Sequence, residues 1–88
     1  MNLAFTRSFA KDLRQIRDTS VSDRLQEIIG VIEAAASIQD LKNLKKISSE
    51  GRHYRLRLGD YRLGLAIEAN TVTLVRILHR KDMYRYFP

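Results

Sequence analysis

The sequence predicts a single α+β domain in the order β-α-α-β-β-β, with a helical hairpin on one face of an antiparallel sheet and a short helical turn at the C-terminus. Three observations predict it. Two stretches before residue 37 carry apolar residues at helical spacing, three stretches after residue 51 alternate polar with apolar residues, and Gly59-Asp60 and Ala69-Asn70 punctuate those three as turns. At 88 residues, 44% of them hydrophobic and 30% charged, the chain suits one domain (residues 1–88) with one modest core.

Each element has a local reason. Leu3 and Phe5 alternate in a short first strand. Thr6 is placed to cap a helix in which Phe9, Leu13 and Ile16 recur at i, i+4 and i+7. Asp18-Thr19-Ser20 interrupts that pattern, and Ser20 with Asp23 resembles a capping box for a second helix carrying Val21, Leu25, Ile28, Ile29 and Ile32 and ending near Ala36. Residues 37 to 51 read as a connector that carries Lys42, Lys45 and Lys46 and packs Leu41, Leu44 and Ile47 back onto the domain. Strands follow at roughly 52 to 58, 61 to 68 and 71 to 78.

Gly at the first central position of the Gly59-Asp60 turn suits a type II′ hairpin. That turn sets Leu58 opposite Tyr61, Arg57 opposite Arg62 and Arg55 opposite Gly64. Tyr54, Leu56, Leu58, Tyr61, Leu63, Leu65 and Ile67 then form the core face, while His53, Arg55, Arg57, Arg62, Gly64, Ala66 and Glu68 form the other. Two arginines directly across a ladder repel. A concave basic platform floored by Gly64 and Ala66 explains them better than a solvated face with incidental charge. The last strand has two registers: a two-residue turn pairs Arg62 with Ile77 and sends Arg76 to the helical side, and a three-residue turn puts Arg76 and Arg80 on the basic side.

Charge is concentrated. Residues 1 to 41 hold five Lys and Arg against six Asp and Glu, a balance of −1, and residues 42 to 88 hold eleven against four, a balance of +7. An arginine-rich half suits a polyanion, because guanidinium forks match phosphate oxygens in pairs. The absence of cysteine excludes disulfides and thiolate metal sites, and no metal or other cofactor is expected. The opening MNLAFTRSFAKDLRQ holds no apolar stretch long enough for a signal peptide or a membrane span, so a soluble cytoplasmic protein without membrane partners is expected.

Three segments, FTRSFAKDLRQI, YRLRLGDYRL and RILHRKDMY, together resemble the RelE/ParE superfamily of type II toxins, in the same order and over essentially the whole chain. The resemblance implies a RelE-like fold, a cognate antitoxin that wraps and neutralises the toxin in a hetero-oligomer, and, for the RelE branch, ribosome-dependent cleavage of mRNA. That cleavage is metal-independent attack of a 2′-hydroxyl on the adjacent phosphate. On the motif alignment the resemblance assigns Arg55 and Arg57 to the basic positions of the second strand, Arg62 and Arg80 to phosphate binding and transition-state stabilisation, and Tyr84 to stacking on a base or orienting the ribose. Lys42, Lys45, Lys46, His53, Arg76, Lys81 and Arg85 complete the expected RNA-binding set.

The best-studied relative has lysines where Arg55 and Arg57 stand here. An arginine does not give up its proton, so the acceptor must lie elsewhere. Relatives with a histidine base make His79, beside Arg80, the first candidate and His53 the second. Glu50 and Glu68 are weaker ones. Of the C-terminal aromatics, Tyr86 and Phe87 are expected to close the core edge. Two competing readings share the sequence: a ParE-like inhibitor of DNA gyrase and a non-catalytic RNA-binding module.

Overall fold

The computed structural model describes residues 1–47 and 51–88. The order is β1 (Asn2–Phe5), α1 (Arg7–Gln15), α2 (Thr19–Ala34), a 3-10 turn (Ile38–Asp40), β2 (Leu44–Lys46), β3 (His53–Leu58), β4 (Tyr61–Glu68), β5 (Thr71–His79) and α3 (Arg80–Tyr86). The sheet runs β1-β5-β4-β3-β2. The α+β architecture is as expected, with two additions. β1 pairs with β5 in parallel, making the sheet mixed, and the connector contributes β2 as an edge strand, Lys45 opposite Arg55 and Lys46 opposite Tyr54. Ile47 is exposed instead of packed. Among the described residues no helix is long and apolar enough to cross a membrane.

The core forms where the apolar face of the sheet meets the helices. Leu56, Leu58, Leu63, Leu65, Val72, Leu74 and Ile77 pack with Phe9 of α1 and Val21, Leu25 and Ile32 of α2. Thr6 caps α1 by accepting from the Phe9 N–H at 3.0 Å. The cap of α2 differs from the expected Ser20 box: Asp18 accepts from the Ser20 N–H at 2.9 Å and from its hydroxyl at 2.7 Å, so the helix begins earlier. A carboxylate two residues earlier takes the cap in place of the serine, its charge favoured by the free N–H groups of the first turn.

The hairpin registers are as expected for β3 and β4, and Gly59 adopts φ 62° at the first turn position. β5 combines both expected alternatives. Its turn has two residues, with Glu68 opposite Thr71, but the register shifts between Leu65, opposite Leu74, and Gly64, opposite Arg76. Val75 is the extra residue, a bulge. Beyond it Arg62 faces Leu78 and Tyr61 faces His79.

The bulge sits where β1 ends and leaves the edge of β5 unpaired. α1 covers that edge. The Thr6 hydroxyl donates to the Val75 carbonyl at 2.7 Å, and buried Asp12 accepts from the Ile77 N–H at 3.2 Å. Asp12 also takes the Arg76 guanidinium in both its oxygens, from Nε at 2.7 Å and Nη2 at 2.9 Å. This fork raises the Arg76 pKa further above its ordinary value, chiefly through the Asp12 hydrogen bond.

Asp12→Ala should cost about 3 kcal/mol in urea denaturation, because it orphans a buried N–H and a part-buried guanidinium together. A loss below about 1 kcal/mol would show that α1 does not hold the edge. The Asp18 carboxyl is held below its ordinary value, first by the Ser20 hydroxyl and then by the Ser20 N–H. A lowered folded-state pKa gives stability that is complete above the unfolded carboxylate range and lost as pH falls through the folded value. The melting-temperature gap between wild type and Asp18→Ala should therefore close on acidification through that range; a gap constant with pH would refute the cap's charge dependence.

Candidate active site

Alternation along β3 sends His53, Arg55 and Arg57 to the face away from α1 and α2, and the ladder adds Lys45 opposite Arg55 and Arg62 opposite Arg57. Each arginine of the hairpin meets a different environment. Arg62 turns back along its own strand, its Nη1 donating to the Gly59 carbonyl at 2.7 Å and the Tyr61 carbonyl at 2.9 Å. Arg55 lies with its guanidinium carbon 4.8 Å from the centroid of the Tyr84 ring. Arg57 is exposed. Among the described residues none of the three forms an ion pair with a carboxylate.

α3 completes the site. His79 caps it, its Nδ1 accepting from the Lys81 N–H at 3.2 Å, and the Arg80 N–H donates to the Asp60 carbonyl at 2.8 Å, tying the helix start to the hairpin tip. Met83 and Phe87 are buried at 1% and 6% exposure, while Tyr84 is 79% exposed and stands over Arg55. Arg80, Lys81 and Arg85 are exposed on the same short helix. The platform expected to lie open above Gly64 and Ala66 is thus roofed. Phe87 packs against Gly64 so closely that a Cβ there would meet Cδ1, Cε1 and Cζ of the ring at 2.8 Å. What remains accessible is a basic strip: Lys45, Arg55, Arg57 and the outer face of α3.

Other expected residues fall elsewhere. His79 pairs with Tyr61 on the opposite side of the sheet, rings edge-on at 5.5 Å, because the Val75 bulge shifts the parity of the strand end. Its Nδ1 is occupied as a cap, and it lines a hollow at the hairpin tip with Arg24, Arg57 and Asp60, a hollow that Arg55 and Tyr84 do not line. His53 does share it, packed edge-on to Phe87 at 5.5 Å. Arg76 is opposite Gly64, yet its guanidinium bends over the sheet edge to Asp12. Lys46 turns to the other face, 5.9 Å from the Tyr54 ring centroid. Lys42 lies on the connector beside Arg57 in a groove against α2, and Glu68 pairs with Arg52. Glu50 lies outside the described residues. Arg24 of α2 is a cation that strand alternation could not reveal: it lies beside Gly59 and Arg57 at the hairpin tip, brought there by tertiary packing alone.

Residues 3–84 match the family model described as ParE toxin of type II toxin-antitoxin system. Toxin RelE3 of Methanocaldococcus jannaschii is 37% identical over the whole of both chains. A chain of the RelB-RelE antitoxin-toxin complex from Methanococcus jannaschii is 35% identical with a TM-score of 0.80, covering 97% of this chain and 99% of that one. A chain of the intact E. coli RelBE toxin-antitoxin complex shares the fold at 18% identity and a TM-score of 0.64, covering 89% and 94%. The chain belongs to the RelE/ParE superfamily of type II toxins.

Gly64→Ala should drive the Phe87 ring out of its seat and release α3 without unzipping the hairpin. Amide hydrogen exchange should quicken over residues 80–87 and stay at the wild-type rate in β3 and β4. Unchanged exchange over α3 would mean that the ring does not anchor it.

Proposed function

We propose that this toxin is a ribosome-dependent mRNA endoribonuclease that cleaves by attack of a 2′-hydroxyl on the adjacent phosphodiester. The observation that carries the reading is the stack of Tyr84 on Arg55, which sets an exposed aromatic ring from α3 among guanidinium groups of β3. A stacked, cation-bordered ring suits a nucleotide, its base taken by the ring and its phosphate by the cations.

The reaction asks for charge stabilisation on a phosphorane-like oxygen and for a proton acceptor at the 2′ oxygen. In this reading Arg55, Arg57 and Arg80 supply the charge. Arg62, half-buried and bonded to turn carbonyls through one nitrogen, holds the hairpin tip in shape and offers its remaining N–H groups to the phosphate. Among the described residues His53 is the imidazole on this face, and the reading makes it the acceptor in place of His79. The 2′ oxygen bonds to phosphorus, its proton passes to His53, and the 5′ oxygen leaves with a proton from solvent or the ribosome. A cyclic 2′,3′-phosphate and a 5′-hydroxyl remain.

The proposed partner is an antitoxin whose acidic and apolar residues cover the basic strip or lift α3. The RelE relative from M. jannaschii was solved with its RelB antitoxin, which supports this. The ParE name of the matched family model gives gyrase inhibition its standing as the competing reading.

Primer extension on mRNA in a reconstituted translation system tests the reading. Wild type should produce cuts only with ribosomes, and Tyr84→Ala and Arg55→Ala should each lower the rate about 10²- to 10³-fold, comparable to losing one transition-state donor. His53→Ala should lower cleavage with RNA binding retained, and His79→Gln should preserve cleavage while loosening α3. Intact transcripts together with trapped gyrase-DNA complexes would overturn it.

A further inference from the structure

The arginine face does not end at the edge of the sheet. Arg57 borders a second surface, a cleft of about 470 Å³ around the tip of the β3–β4 hairpin, shared with Arg24, Asn43 and Gly59. Arg24 comes from the second turn of α2, an element on the far side of the sheet from the strip. Its Nη1 lies 3.5 Å from where a Gly59 Cβ would stand, so its guanidinium rests over the hairpin turn. Neither Arg24 nor Arg57 has an ion-pair partner among the described residues.

The cleft has the donor set of an anion site. Two guanidiniums from separate elements repel each other across an open space, a cost that a bound anion relieves. Asn43 adds an amide capable of donating. Asp18 and Asp60 line an adjoining hollow together with Arg24, Arg57 and Gly59, while the described lining of the cleft itself holds no carboxylate. A phosphodiester, with one charge and two free oxygens, matches two arginine forks.

We propose that Arg24, Arg57 and Asn43 bind a backbone phosphate of single-stranded RNA outside the scissile linkage, so that the strand passes from the strip around the hairpin tip. Arg57 is the shared element. It borders both surfaces, and a strand engaged on the Tyr84–Arg55 stack reaches the cleft by following it. This inference rests on the ribonuclease reading and deepens it by giving the strand a path.

The test is the salt dependence of binding to a 2′-O-methyl hexaribonucleotide, which cannot be cut, measured by titration calorimetry with the full chain. Arg24 is exposed and helical, so alanine should preserve the fold, which circular dichroism checks. Arg24→Ala should weaken binding about five- to tenfold. It should also flatten the plot of log K against log salt by about 0.7, one phosphate contact on a single strand. Arg24→Lys should keep the slope. The cleft proposal alone fails if Arg24→Ala leaves affinity and slope unchanged while Arg55→Ala weakens binding. It also fails if Arg24→Ala weakens only capture of an acidic antitoxin peptide. Wild type that shows no salt-dependent RNA binding overturns the cleft proposal, whereas the ribonuclease reading falls only if primer extension with ribosomes finds intact transcripts.

Discussion

The geometry of the basic strip depends on how α1 closes the edge of β5. Past Phe5 the parallel ladder stops, and the rest of β5 would present unpaired backbone groups to solvent. Thr6 and Asp12 take two of them, the Val75 carbonyl and the Ile77 N–H, and in doing so stabilise a bulge that inserts one residue into the strand. Every side chain beyond the bulge changes face relative to a regular ladder. His79 therefore joins Tyr61 against the helical side, and Arg80 begins α3 against the hairpin tip. A contact between residues 12 and 77 thus bears on which face of the sheet His79 takes at the strand end.

The second constraint is electrostatic. Arg55, Arg57 and Arg62 are gathered on one side of a hairpin, and their repulsion is eased by a tyrosine ring beside Arg55, turn carbonyls on Arg62 and the exposure of Arg57. Carboxylates would hold these cations more tightly, and a polyanion would then have to displace them. The contrast with Arg76 is instructive. It is the arginine the fold commits to a bidentate carboxylate, and it is the one that leaves the strip for the sheet edge.

Local chemistry made much of this legible. A Gly59-Asp60 turn with alternating neighbours set the β3–β4 register, and that register alone placed Arg57 against Arg62 and Arg55 against Gly64. Thr6 as a cap and the apolar stripes of both helices were likewise readable from spacing. What escaped was non-local. The Val75 bulge has no mark in its own strand, because the groups that satisfy it lie more than sixty residues earlier. β2 was hidden because an edge strand with solvent on its outer side has little need of alternation. Small residues at 64 and 66 suggested an open floor, and only the folded chain shows that Gly64 is small to admit Phe87. Arg24 was invisible for the same reason, since its relation to Gly59 exists only in three dimensions.

Those non-local contacts give the site a particular fragility. A helix of seven residues has almost no stability of its own, so α3 is ordered by the burial of Met83 and Phe87 and by its bond to Asp60. Tyr84, 79% exposed, is held by those same few contacts and by its own contact with Arg55. Its position above Arg55 therefore depends on a short helix docked by few residues, while Arg55 itself is braced by strands on both sides. The ring thus rides on a short helix and the cation on the sheet, so the two halves of the strip rest on separate elements that share no backbone ladder.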